Sequence, residues 1–177
     1  MGPRKRSKQG LAGLPTDADA GLNVVIETPK NQPNKFKYDP KTGAIRLSRV
    51  LPVGMVFPFD FGFVPGTKGG DGDPVDVLVL MDAPVYPGCV VEARLIGVLR
   101  CRQREDGQKE VENDRLIGVA NAAMTYSAQE LADLDDQLIH QIEQFFVDYN
   151  RVEGREFEVL RQAGARAARR TVDDARL

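Results

Sequence analysis

The sequence predicts a mainly β, α+β domain: a small barrel or sandwich with helices packed onto it late in the chain. Three observations carry this. Short apolar segments separated by Gly- and Pro-containing turns run from Leu22 to about Arg102. After Ser127 the hydrophobic period becomes helical. The length, 177 residues, suits one core of ordinary size.

Taken in order, residues 1–20 lack apolar periodicity and read as a mobile tail, leaving 21–177 as a single folded domain. Arg4, Lys5, Arg6 and Lys8 read as a solvated arm. Leu22–Glu27 is a strand closed by Thr28-Pro29. Asn34–Tyr38 and Ala44–Leu47 alternate in character around the turn Asp39-Pro40-Lys41-Thr42-Gly43, which predicts a hairpin. Phe57, Phe59, Phe61 and Phe63 recur at period two, placing all four on one face of an extended segment. Val75–Leu80 is a nearly continuous apolar run and reads as a buried strand. Cys89–Arg102 reads as a long strand bent at Gly97, Gln103–Asn113 as a charged loop or hairpin tip, and Arg115–Val119 as another strand.

The helical part starts with a capping-box pattern at Ser127-Ala128-Gln129-Glu130. Leu138, Ile139, Ile142, Phe145, Phe146 and Tyr149 then form one apolar stripe that would lie on the sheet. A further strand includes Phe157–Leu160, and the Ala/Arg-rich stretch Ala163–Leu177 reads as helical.

Composition narrows the function. Lys plus Arg total 24 against 26 Asp plus Glu, so no global cationic field attracts nucleic acid. No apolar run approaches the ~20 residues of a membrane span. Cys89 and Cys101 read as buried thiols in a reducing cytoplasm. His140 is the sole histidine and lies off the apolar stripe, which argues against a zinc hydrolase or a Cys/His nucleophile.

The most informative segment is Gly69-Gly70-Asp71-Gly72-Asp73-Pro74-Val75-Asp76-Val77. Asp71 and Asp73 are two apart, so in extended backbone their carboxylates share a face. Gly72 lets the chain bend between them, and Pro74 biases Asp73 towards extended geometry. Clustered carboxylates repel one another unless a cation compensates, and oxygen-only ligands suit Mg²⁺ serving a phosphate substrate. A bare surface turn is the alternative. The third aspartate, opening a buried strand, weighs for metal.

These residues resemble the signature of the family I soluble inorganic pyrophosphatases. The resemblance runs from about Asn23 to Tyr149, through Val25-Ile26-Glu27, Lys35-Phe36-Lys37-Tyr38-Asp39, Gly43, Arg49, Pro58, Gly62, Gly97-Val98-Leu99 and Phe145-Phe146. It implies a five-stranded OB-type β-barrel with flanking C-terminal helices, Mg²⁺-dependent hydrolysis of pyrophosphate (with Mn²⁺ as a substitute), and a homo-oligomer. It implies that Asp71, Asp73 and Asp76 bind metal, Asp73 also serving as general base, with Glu27 a further active-site carboxylate. Lys35, Arg49, Arg115 and Tyr149 fall on phosphate ligands, although Tyr149 also fits the core stripe. Departures cluster in the rest of the site. Phe57 and Phe61 stand where the family has tyrosines, Lys37 replaces an acid, and Asn150 replaces a lysine. Asn113 aligns with a metal-ligating aspartate unless Asp114 serves instead, and Glu105 or Asp106 would have to supply another. A domain that binds phosphate or nucleotide without turnover is the competing expectation.

Overall fold

The computed structural model describes residues 10–177, so the basic arm at Arg4–Lys8 lies outside the described residues. After a 3-10 turn at Leu11–Gly13 come β1 (Asp17–Ala18), β2 (Gly21–Thr28), β3 (Asn34–Asp39), β4 (Ala44–Val50), β5 (Asp60–Phe63) and β6 (Asp76–Leu80). Then follow β7 (Val90–Glu105), β8 (Val111–Glu112) and β9 (Arg115–Ala120), a 3-10 turn at Leu131–Asp133, α1 (Asp136–Val152), β10 (Arg155–Gly164) and α2 (Ala165–Asp174).

Five strands close a ring. β2 pairs with β5, β5 with β6, β6 with β9, β9 with β7, and β7 returns to β2. The β6–β9 pair is parallel and the others are antiparallel. This is the OB-type arrangement that the resemblance implies. The 16-residue β7 makes it possible, because its first part serves the ring and its last part leaves it to pair with β10 and β8. At the change of direction the β7–β9 register slips between Leu95 and Gly97. A Cβ on Gly97 would sit 2.7 Å from the Leu131 Cβ and 2.8 Å from the Ala163 carbonyl oxygen, so only glycine fits the bend.

Both faces of the ring wall are buried, which explains why β6 reads as a continuous apolar run. Leu78 and Leu80 join a cluster under α1 with Phe61, Ile117, Ile142 and Phe146. Val77 and Val79 join a second cluster with Val24, Ile26, Leu116 and the α2 residues Ala168 and Val172. Alternation at period two distributes them.

Four expectations differ from the structure. Residues 10–20 are packed: Leu11, Ala12 and Leu14 lie on the cluster of Val25, Tyr38 and Phe63, and the Thr16 hydroxyl donates to the Pro65 carbonyl at 2.8 Å. The tail therefore gives way to folded chain before residue 20. The Phe57–Phe63 segment becomes a strand only at Asp60. Its four rings are all buried, but Phe63 stacks on Tyr38 at 5.9 Å, away from the cluster that holds the other three. Ser127 caps no helix. Glu130 and Asp133 cap the 3-10 turn reciprocally, and the Asp135 side chain caps α1 by accepting from the Gln137 and Leu138 amides. Cys89, read as a buried thiol, is only half-buried. The Gln103–Asn113 stretch forms the end of the β7–β8 hairpin, His140 is exposed, Cys101 is buried, and both cysteines are unpaired thiols, as expected.

Candidate active site

The carboxylate loop is pinned at its base. Thr67 donates its hydroxyl to the Val64 carbonyl at 2.6 Å and accepts from the Val75 amide at 3.0 Å. Within the loop, Asp71 accepts from the Asp73 amide at 3.1 Å, an Asx turn, and Gly72 takes a φ of 89° that suits glycine. The Asp71 and Asp73 side chains reach solvent, while Asp76 enters β6 half-buried. The parallel register pairs Val77 with Leu116, which sets Asp76 beside Arg115 one residue earlier. The two form an ion pair at 2.8 Å. Arg115 is only 5% exposed, with its guanidinium over the rings of Phe146 (5.5 Å) and Phe157 (5.3 Å).

The β3–β4 hairpin supplies the other cations. Lys35 and Arg49 are cross-strand partners, and Lys37 follows Lys35 at period two. Lys35 donates to the Tyr149 hydroxyl, Arg49 pairs with Glu153 at 2.8 Å, and Lys37 pairs with Asp73 at 2.6 Å. Glu27 on β2 accepts from the Tyr38 amide at 2.6 Å.

All eight residues singled out from the sequence border one cavity of about 340 Å³: Glu27, Lys35, Arg49, Asp71, Asp73, Asp76, Arg115 and Tyr149. The cavity balances five carboxylates (Glu27, Asp71, Asp73, Asp76, Glu105) against five cations (Lys35, Lys37, Arg49, Arg115, Arg155). Burial pushes the Glu27 carboxyl up to about 7, the Tyr38 amide opposing and the Asp76 charge adding to the rise. Burial also raises Asp76; Arg115 and Lys35 pull it back, and Asp71 and Asp73 push it further. Burial lowers Lys35 and raises the Tyr149 hydroxyl, which stays protonated.

The departures from the family pattern take definite places. Phe61 borders the cavity, whereas Phe57 is fully buried among Phe61, Phe145 and Tyr149. Asn113 faces the cavity, accepts from Arg115 and donates to the Gln103 side chain at 2.8 Å. Asp114 turns instead to Arg100 (2.5 Å) and the Cys101 amide (2.9 Å), bordering a neighbouring cavity of about 290 Å³. Glu105 borders the main cavity but is held by Arg155 at 2.7 Å, and Asp106 does not border it. Asn150 is buried and donates to the Phe146 carbonyl at 2.8 Å. Among the described residues, Arg115 Nε and Asn150 Oδ1 have no hydrogen-bond partner.

Among the cavity residues that sequence reasoning does not single out are Gln103 and Arg155. Their only signal is alternation along β7 and a cross-strand partnership of Arg155 with Glu105. Among the described residues, no three acidic, histidine or cysteine side chains are gathered into a ready-made cage. Lys37 and Arg115 hold two of the carboxylates instead.

Carboxylates and cations around one cavity suit a small polyanion: guanidinium and ammonium groups hold its oxygens, and acids bind positive charge beside it. The class is thus a small barrel with a site for a highly charged anion. Comparison with known proteins makes this specific. A family model described as inorganic pyrophosphatase matches residues 24–176. The inorganic pyrophosphatase of Thermus thermophilus is 36% identical over 156 residues, covering 88% of this chain and 86% of that one. The soluble inorganic pyrophosphatase of Zea mays is 38% identical over 157 residues, 88% of this chain and 71% of that protein. The crystal structure of the Thermus thermophilus enzyme superposes with a TM-score of 0.83 at 34% identity, over 92% of this chain and 94% of the other. The chain belongs to the inorganic pyrophosphatase family.

Proposed function

We propose that this chain hydrolyses inorganic pyrophosphate to two phosphates, using Mg²⁺ held by Asp71, Asp73, Asp76 and Glu27. The observation that carries the reading is the single cavity shared by these acids and by Lys35, Arg49, Arg115 and Tyr149. The donor set fits a hard divalent cation. It is all oxygen, no thiol or imidazole lines the cavity, and Glu27 and Asp76 are destabilised as anions by burial and by their acidic neighbours.

When bound, the divalent ion supplies Lewis-acid charge at the phosphoryl oxygens and at the attacking water. The chain's own groups do the rest. Lys35, Arg49 and Arg115 neutralise and orient the two phosphoryl groups, so the reacting phosphorus faces the loop. Asp73 takes a proton from the water as its oxygen bonds to phosphorus, and the bridging P–O bond breaks to release the second phosphate. The protonated Tyr149 hydroxyl donates to a phosphate oxygen and positions Lys35.

Mn²⁺ serves as the substitute ion in this reading. We place the protein in the cytoplasm, as a homo-oligomer working without a nucleic-acid or membrane partner. The two unpaired thiols support a reducing compartment. Among the described residues no helix is long and apolar enough to cross a membrane.

Phosphate release from pyrophosphate, with and without Mg²⁺, tests the proposal. Wild type is expected to turn over only with metal, and Asp73→Asn to lose about 10²–10⁴-fold in rate while keeping its melting temperature. Folded wild type that binds pyrophosphate without Mg²⁺-dependent release would favour the non-hydrolytic alternative.

A further inference from the structure

We propose that Lys37 is a built-in counter-cation of the carboxylate loop, one that the first divalent ion must displace from Asp73. This rests on the pyrophosphatase reading of the same site and goes beyond it, because it assigns a part of the cation binding to a residue of the chain.

The placement follows from the hairpin. Tyr38 packs into the core with Phe63, so its neighbour Lys37 points to the other face, as does Lys35 two residues before it. Lys35 is held by Tyr149, but Lys37 extends across the cavity to the loop and donates to Asp73 Oδ2 at 2.6 Å. Glu27 and Asp76 also act on this ammonium with their charge, which leaves it surrounded by the very acids that a metal would use. Its cross-strand partner Arg46 adds no competing carboxylate.

Two cations cannot share the Asp73 oxygens without repelling each other. A metal arriving at Asp73 therefore has to break the Lys37 ion pair or bind against its charge. The pair is half exposed, at 52% and 56% for the two side chains, so the obstacle is reversible and the released ammonium stays tethered beside the cavity. Lys37 thus weakens metal binding to the empty site. Once displaced, it is free to meet the phosphate that arrives with the metal.

Calorimetric titration of metal-stripped protein with Mg²⁺, without pyrophosphate, tests this. Lys37→Gln is expected to bind Mg²⁺ about tenfold more tightly than wild type, the effect of removing one half-screened like charge. Lys37→Arg keeps the charge and should stay within about twofold of wild type. Lys41→Gln, an exposed lysine of the same hairpin outside the cavity, should leave the isotherm unchanged. Equal Mg²⁺ affinity in Lys37→Gln and wild type, with wild type active on pyrophosphate, overturns the role of Lys37 alone. Absence of Mg²⁺ binding in all four folded proteins overturns the metal reading beneath it as well.

Discussion

The carboxylate loop and the β7–β9 wall border the same cavity but are built in opposite ways. The loop presents Asp71 and Asp73 to solvent on a Gly- and Pro-shaped turn, held mainly by its own backbone. On the β7–β9 wall, Arg115, Asn113 and Gln103 are buried, linked in one hydrogen-bonded chain and, through Arg115, backed by two aromatic rings. One wall carries charge that can rearrange around an incoming ion. The other carries one cation and two neutral amides whose positions are set by the fold. Charge placed in solvent is cheap to hold and easy to re-partner, whereas charge placed in the core must be paired at all times.

The two walls should differ first in stability. Arg115→Met leaves Asp76 without its ion-pair partner and should destabilise the fold by about 3 kcal/mol in urea unfolding without metal. Asp71→Asn, on the exposed loop, should change stability by less than about 0.5 kcal/mol. Equal losses in the two variants would show that the walls do not differ as described.

A smaller effect sharpens the same contrast. Glu27 is buried, and its carboxyl is raised from 4.5 to about 7. Between those values the folded chain keeps a proton that the unfolded chain releases, so this group's contribution makes stability fall as pH rises through the window. Glu27→Gln removes the proton exchange and can still accept from the Tyr38 amide. Metal-free unfolding is therefore expected to show wild type losing about 3 kcal/mol more than Glu27→Gln between pH 4.5 and 8. Parallel pH profiles would contradict the placement of Glu27 as a buried acid.

The two walls also differ in how legible they are in the sequence. The loop was legible because its chemistry is local: Asp71, Asp73 and Asp76 lie within six residues, and Gly72 and Pro74 announce its shape. Lys35 and Arg49 were expected from the family resemblance, whereas regular pairing across the hairpin would set Lys35 opposite Ser48; the register shift between Lys35 and Phe36 brings Arg49 there instead. The ring closure between β2 and β7, by contrast, joins Leu22 to Ala93, and the Arg155–Glu105 pair joins β10 to the end of β7. No local periodicity encodes such pairings. Asn113 against Asp114 could not be settled by spacing, since one residue decides which side chain faces the cavity and which turns to Arg100. Ser127 misled because its S-x-x-E pattern is genuine locally, yet the chain makes its first turn at Glu130, whose side chain also accepts from the Ala165 amide and so ties the turn to α2. The packing of Leu11 and Leu14 likewise depends on Tyr38 and Phe63, far along the chain.

A crystal structure with Mg²⁺ and imidodiphosphate, a pyrophosphate mimic whose bridging nitrogen resists hydrolysis, would show whether this cavity is where pyrophosphate is held. Both phosphoryl groups are expected in the 340 Å³ cavity, contacted by Lys35, Arg49 and Arg115, with Mg²⁺ between them and the Asp71–Asp76 loop. The mimic bound in the neighbouring cavity beside Arg100 and Asp114, or metal seated away from all three aspartates, would contradict it.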